Sequence, residues 1–205
     1  MIVGNIYGVV LNDQRQLGRL APLFGEKPYG KPPGAPVVYM KPRSATNGGP
    51  IRIAADTVLH AGATLGLLFG RDATRVSEAE AFGHVAATCL AIDLMMPADS
   101  YYRPTIAQRN GDGFLPLGEF SAPALPDAID TAVDGQNVDR LPLDQLARSV
   151  PALVAELSEF MTLQAGDLLL VGLSGDAPNV RAGQEVTVTA DSFPPLSIAI
   201  ERLRA

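Results

Sequence analysis

Four basic side chains are the residues whose types and spacing point first to chemistry. Lys41 and Arg43 follow an apolar run, and Arg103 and Arg109 bracket a turn that contains Pro104. Gathered in one cleft, they would hold the carboxylates of a small diacid through charge-assisted hydrogen bonds, with each guanidinium acting as a planar fork. Left apart, they are ordinary surface charge, and spacing alone does not choose between the two. The other candidates read as structural. His60 and His84, the two histidines, stand in different segments with no Cys or acid at metal-ligand spacing and no orienting partner in sequence, which favours packing roles. Glu78 and Glu80 lie two residues apart, so on a helix they point in different directions and suit capping and solvation better than paired acid/base work. Ser174, flanked by Leu173 and Gly175, does not match the nucleophile-elbow pattern, and Gly111-Asp112-Gly113 is a turn rather than a phosphate loop.

The elements that would position such residues follow from composition and punctuation. A chain of 205 residues with 47% hydrophobic and 19% charged residues can bury a sizeable core, and we expect one domain over residues 1–205. A net charge of −6 and the absence of a basic stripe argue against a nucleic-acid partner. No apolar run approaches the ~20 residues needed to span a bilayer, and the first residues lack the layout of a signal peptide. The lone Cys89, in an apolar run, fits a small buried thiol and a reducing, cytoplasmic location. With 20 Gly and 17 Pro, the apolar runs are short and favour strands. Strands are expected over Val3–Leu11, Pro36–Met40, Ile51–Ala54, Thr64–Phe69, Thr88–Met95, Asp167–Gly172, Glu185–Ala190 and Leu196–Ile200, with a Pro-rich connector over Gly25–Pro36. Ser77 and Glu80 stand at capping-box spacing and open one helix. A second is expected over Leu143–Leu163, broken or restarted at Pro151 with Ser149 as cap. The fold class is α+β and β-rich.

Several segments, in order along the chain, resemble the fumarylacetoacetate hydrolase family. Tyr39-Met40-Lys41-Pro42 resembles its strand-ending Lys-Pro. The stretch from His60 to Gly70 is similar to the strand that reads Glu-x-Glu-Leu in active members, and Ala91-Ile92-Asp93-Leu94 to its Asn-Asp-Val stretch. Asp112 to Gly118 resembles its Phe-x-Pro-x-Gly loop, and Leu157 to Asp167 the helix-to-strand junction before its Thr-Gly-Thr-Pro. Pro28-Tyr29-Gly30-Lys31-Pro32-Pro33, Gly62-Ala63-Thr64 and Tyr102-Arg103-Pro104 are closest to the amino-terminal repeat of the family's isomerase/decarboxylase branch in aromatic catabolism. The fold implied is a mixed β-sandwich or roll with short flanking helices, with residues 1–35 as a possible lid region. The activity implied is isomerisation or decarboxylation of an unsaturated seven-carbon dicarboxylate.

The departures from the family pattern shape the expectation. Active members bind Mg²⁺ or Mn²⁺ with two glutamates and a later aspartate, oxygen ligands suited to hard cations. Gly62 and Thr64 replace the glutamates here, and only Asp93 remains. The family's lid His and Glu fall on Gln16 and Arg19, its lysine before the Phe-x-Pro loop on Arg109, and its Thr-Gly-Thr-Pro on Val171-Gly172-Leu173-Ser174. We therefore expect no metal bound by this chain, Lys41, Arg103 and Arg109 as carboxylate-binding residues, and no confident catalytic residue. The partner is expected to be a second copy or a catalytic paralogue that keeps both glutamates. Two readings stay open: a subunit of the enzyme with a degenerate site, or a non-catalytic scaffold for that paralogue.

Overall fold

Residues Leu59–Phe69 and Val85–Met95 carry almost only small or apolar side chains, and they form the two longest strands, paired antiparallel with Gly62 opposite Asp93 and Thr64 opposite Ala91. The computed structural model describes residues 2–46, 48–98 and 105–203. Its order is β1 (Ile6–Val10), α1 (Gln14–Phe24), β2 (Val37–Lys41), β3 (Ile51–Ile53), β4 (Leu59–Phe69), α2 (Glu78–Ala81), β5 (Val85–Met95), α3 (Ile106–Arg109), β6 (Ala128–Val133), β7 (Gln136–Pro142), α4 (Val150–Phe160), β8 (Leu168–Leu170), β9 (Asn179–Val180), β10 (Glu185–Thr189) and β11 (Leu196–Arg202). One sheet runs β2-β1-β8-β4-β5, with β9 beside β4, and the other runs β3-β11-β10-β6-β7.

The two sheets share one apolar core. Leu65, Leu67, Leu90 and Ile92 from the β4/β5 hairpin meet Ile129, Val186, Val188 and Ile198 from the second sheet, and Leu153, Val154 and Leu157 of α4 close its end. Because β4 is buried on both faces, it shows none of the polar alternation of a surface strand. The first sheet is rolled. In a flat sheet β2 and β5 would lie roughly 19 Å apart, four strand spacings, yet the Lys41 ammonium on β2 donates to Leu94 O on β5 at 3.1 Å. Gly8 on β1, between those edges in the strand order, permits a second crossing. A Cβ there would stand 2.1 Å from Cζ of Tyr39, so only a residue without a side chain lets the ring lie across the sheet.

Mixed sheets with few short helices match the expected β-rich α+β class. Boundaries moved where long-range pairing decides them. The strand expected to begin at Thr64 starts at Leu59, which brings His60 and Gly62 onto it, and the long helix expected over 143–163 is a short turn followed by α4. That restart is at Ser149, whose hydroxyl accepts from Ala152 N at 3.3 Å, with Pro151 in the first turn, where its missing N–H costs nothing. The hairpin β6/β7 and helix α1 were not expected. The hairpin turns at Asp134-Gly135, both with positive φ (50° and 79°), the geometry that matches strand twist. No helix among the described residues is long and apolar enough to cross a membrane.

Candidate active site

Side chains alternate across a strand, so the register of β4 against β5 puts His60, Gly62, Asp93 and Met95 on one face. Together with Tyr39 of β2, Arg109 at the end of α3, Gln16 of α1 and the loop Leu173–Gly175, they line a cavity of about 610 Å³. Two of the cations singled out in the sequence converge at its floor. Lys41 Nζ lies 2.7 Å from Asp93 Oδ1, and Arg109 Nη1 lies 2.7 Å from Asp93 Oδ2. The Tyr39 hydroxyl donates to the same Oδ2, and the Arg109 guanidinium stacks 4.1 Å from the centroid of the Tyr39 ring. Lys41, Asp93 and Arg109 are all buried.

The two cations play different parts. Lys41 donates to the carbonyls of Leu94, Arg109 and Phe114 at 2.7 to 3.1 Å, so its ammonium ties β2, β5 and α3 together beneath the cavity and is not part of the cavity lining. Burial lowers its pKa, and the charge of Asp93 pulls the other way. Arg109 does line the cavity, with Nη2 2.9 Å from Met95 Sδ. Burial and the Asp93 carboxylate hold the Tyr39 phenol well above its ordinary pKa, so it stays a donor. His60 is pushed down by burial and then by the Arg109 charge, so it presents a neutral imidazole to the cavity.

The residues at the family's metal positions do not fit a divalent ion. A side chain on Gly62 would begin 2.8 Å from Leu173 Cδ2, so leucine fills the space a longer residue would need. Thr64 is fully buried, and both Asp93 oxygens face cations. Among the described residues, no three His, Cys, Asp or Glu side chains are grouped for a metal. At the lid positions, Gln16 lines the cavity, whereas Arg19 turns to the rim and pairs with Asp176 at 2.7 Å.

Arg103 lies outside the described residues. Arg43 borders a separate, shallower hollow with Pro42 and Asn110. His84 lies outside the cavity lining. Ser174 donates to Asp139 Oδ1 at 2.9 Å and accepts from Asp176 N, which makes it a buried loop brace. Sequence reasoning missed Tyr39 and Leu173 as site residues. The signal for Tyr39 was its i, i+2 spacing from Lys41, which places both on one strand face.

The family model for the C-terminal region of fumarylacetoacetate hydrolase matches residues 5–201. The 4-hydroxyphenylacetate degradation bifunctional isomerase/decarboxylase of Escherichia coli is 36% identical over 197 residues, covering 94% of this chain and 46% of that protein. The chain thus spans just under half the length of that relative. Among solved structures, 2-hydroxyhepta-2,4-diene-1,7-dioate isomerase from Mycobacterium marinum superposes with a TM-score of 0.81 at 22% identity, covering 100% of this chain and 77% of that one. Fumarylpyruvate hydrolase from Pseudomonas aeruginosa, solved with Mn²⁺ and pyruvate, has a TM-score of 0.81 at 24% identity and covers 98% and 91%.

Proposed function

This chain belongs to the fumarylacetoacetate hydrolase family, and from that premise we propose that it is one repeat of a cytoplasmic isomerase/decarboxylase acting on unsaturated seven-carbon dicarboxylates in 4-hydroxyphenylacetate breakdown. Its own metal site is degenerate, and it works beside a second family domain, as a homodimer or with a paralogue that keeps the Glu-x-Glu pair. The observation that carries this reading is the 36% identity across 94% of the chain to a relative twice its span. The floor of the cavity supports the degenerate part. Its surviving carboxylate is committed to two cations, and neither Gln16 nor Arg19 is a general base of ordinary pKa. Arg109, with Arg103, is the proposed carboxylate-binding pair, and Lys41 acts by holding Asp93 and the α3 backbone in place.

The commitment of Asp93 also favours a second reading, a scaffold that supports the catalytic paralogue and turns nothing over. One assay separates the two. The chain alone, the paralogue alone and their mixture are given 2-hydroxyhepta-2,4-diene-1,7-dioate with Mg²⁺, and the loss of diene absorbance is followed. We expect little turnover by the chain alone and a gain in the mixture that shrinks when Arg109 is replaced. A gain indifferent to Arg109 supports the scaffold, and full turnover by the chain alone sinks both.

A further inference from the structure

One wall of the cavity is a leucine, and the chain on both sides of it is pinned. Before it, Gly172 has a φ of 150°, and a Cβ there would stand 3.2 Å from Asn12 Cβ and 3.3 Å from Leu146 Cδ2, a spacing that a side chain would crowd. Asn12 is buried, and its Nδ2 donates to Val171 O at 2.8 Å. After it, the buried Ser174 donates to Asp139 Oδ1 at 2.9 Å. Leu173, between these anchors, seats its Cδ2 where Gly62 leaves room, 2.8 Å from the point a Gly62 Cβ would take. Gly62 pairs with Asp93 across β4 and β5, so Leu173 covers the strand face beside the floor carboxylate. Met95, Val10, Val38, Met40 and Ile106 continue the apolar lining. Walls of this kind take the hydrocarbon part of a ligand and leave its polar ends to the few polar groups.

We propose that Leu173 is a specificity-determining residue: seated on Gly62, it admits an unbranched hydrocarbon chain and rejects the same chain carrying a methyl branch at the point that meets it. The basis is packing. Because the backbone is held at Val171 and at Ser174, a branch fits only by driving Leu173 out of its rotamer or by displacing the ligand. A misfit of one methylene in an apolar site discriminates by about 10- to 200-fold. This deepens the dicarboxylate reading and rests on it for the choice of a straight seven-carbon diacid as the probe.

The test needs no turnover. Calorimetry follows the binding of heptanedioate and of its 2-, 3- and 4-methyl derivatives to the purified chain. We expect heptanedioate to bind, and at least one methyl isomer to bind about 10- to 200-fold more weakly. Leu173→Ala should bind that isomer as well as it binds heptanedioate. Leu173→Val, one carbon smaller than the native residue, should recover part of the loss and guards against an Ala variant that misfolds. Methyl isomers that all bind like heptanedioate, a discrimination unchanged in every folded Leu173 variant, or no binding of any of these acids at tens of millimolar overturns the inference. A straight-chain preference in a chain that adds nothing to the paralogue's turnover keeps this inference and sinks the proposed function, and added turnover without that preference does the reverse.

Discussion

Two ion pairs in this molecule have the same length and opposite consequences. At the cavity floor Arg109 meets Asp93 at 2.7 Å with side chains 5% and 0% exposed, and at the rim Arg19 meets Asp176 at 2.7 Å with side chains 50% and 51% exposed. At the rim, water screens the charges and two long side chains lose rotamer freedom to meet, so the contact contributes little. At the floor, water cannot replace a lost partner, so each charge depends on the others. Distance alone therefore does not identify the pair that matters, and burial does. The floor can hold a fixed charge pattern for a ligand. The rim, where α1 meets the loop Ser174–Asp176, is the region that can let go.

The sharpest way to break the comparison is to remove the shared acid. Asp93→Asn removes the carboxylate that Lys41 and Arg109 share and should destabilise by about 3–5 kcal/mol, the usual loss when one member of a buried pair is deleted. Thermal and urea unfolding should both show it, and a loss no larger than that of the rim pair would mean the floor is wetter than its geometry implies. Next in size is Tyr39→Phe, which deletes the hydroxyl that donates to Asp93 but keeps the ring under Arg109. We expect a loss of about 1.5–3 kcal/mol, the range for a hydrogen bond to a charged acceptor. An unchanged midpoint would leave the ring, and not its hydroxyl, as the part that counts.

Much of this floor was legible in the sequence, in pieces. Lys41, Asp93 and Arg109 all stood out by type and by the segments around them, and the structure brings the three together. Their division of labour was not legible, because it depends on the roll that brings β2 to β5 across three intervening strands. Periodicity records which face a residue takes and not how a sheet curls. The short apolar runs disclosed β1, β4, β5, β8, β10 and β11, whose burial writes itself into composition. The hairpin β6/β7 escaped because Asp130, Asn137, Asp139 and Arg140 read as loop, although Asp134-Gly135 marked the turn. Helix α1 escaped because it buries only Gln16 and Phe24 and contains Pro22.

A pH series sharpens the contrast between the regions. At the rim, Asp13 caps α1 by accepting from Arg15 N at 2.9 Å and holds the loop by accepting from Gly175 N at 3.0 Å. Burial raises its pKa, but these amide bonds and the charge of Arg15 outweigh it and leave the carboxyl below its ordinary value. The unfolded chain then takes up the proton first as pH falls, so this stability is present above about pH 4 and is lost below it, through the folded value. At the floor the shift that matters is the raised Tyr39 phenol, whose contribution is present below pH 10 and lost as pH rises further. Asn caps a helix as well as Asp, so Asp13→Asn should flatten unfolding free energy between pH 3 and 5 and leave the alkaline limb alone. An unchanged acid limb would remove Asp13 from the account.

The smallest effect is expected at the rim pair itself. Arg19 donates to both Asp176 oxygens, at 2.7 and 2.8 Å, and that bond raises the Arg pKa, yet both side chains are half in water. Solvent screening reduces the contact to below about 1 kcal/mol, so Arg19→Ala should move the unfolding midpoint barely at all in 0.15 M salt, where the screening length is about 8 Å. Its effect should appear locally instead. Gly175, whose missing Cβ would stand 2.5 Å from Arg19 Nη2, is pressed against α1 by this side chain. Releasing it should raise amide hydrogen exchange over residues 174–177 and in α1 while exchange in β4 and β5 stays constant. A global loss approaching that of Asp93→Asn would erase the distinction between floor and rim, and unchanged exchange at the loop would show that Asp13 alone holds the rim closed.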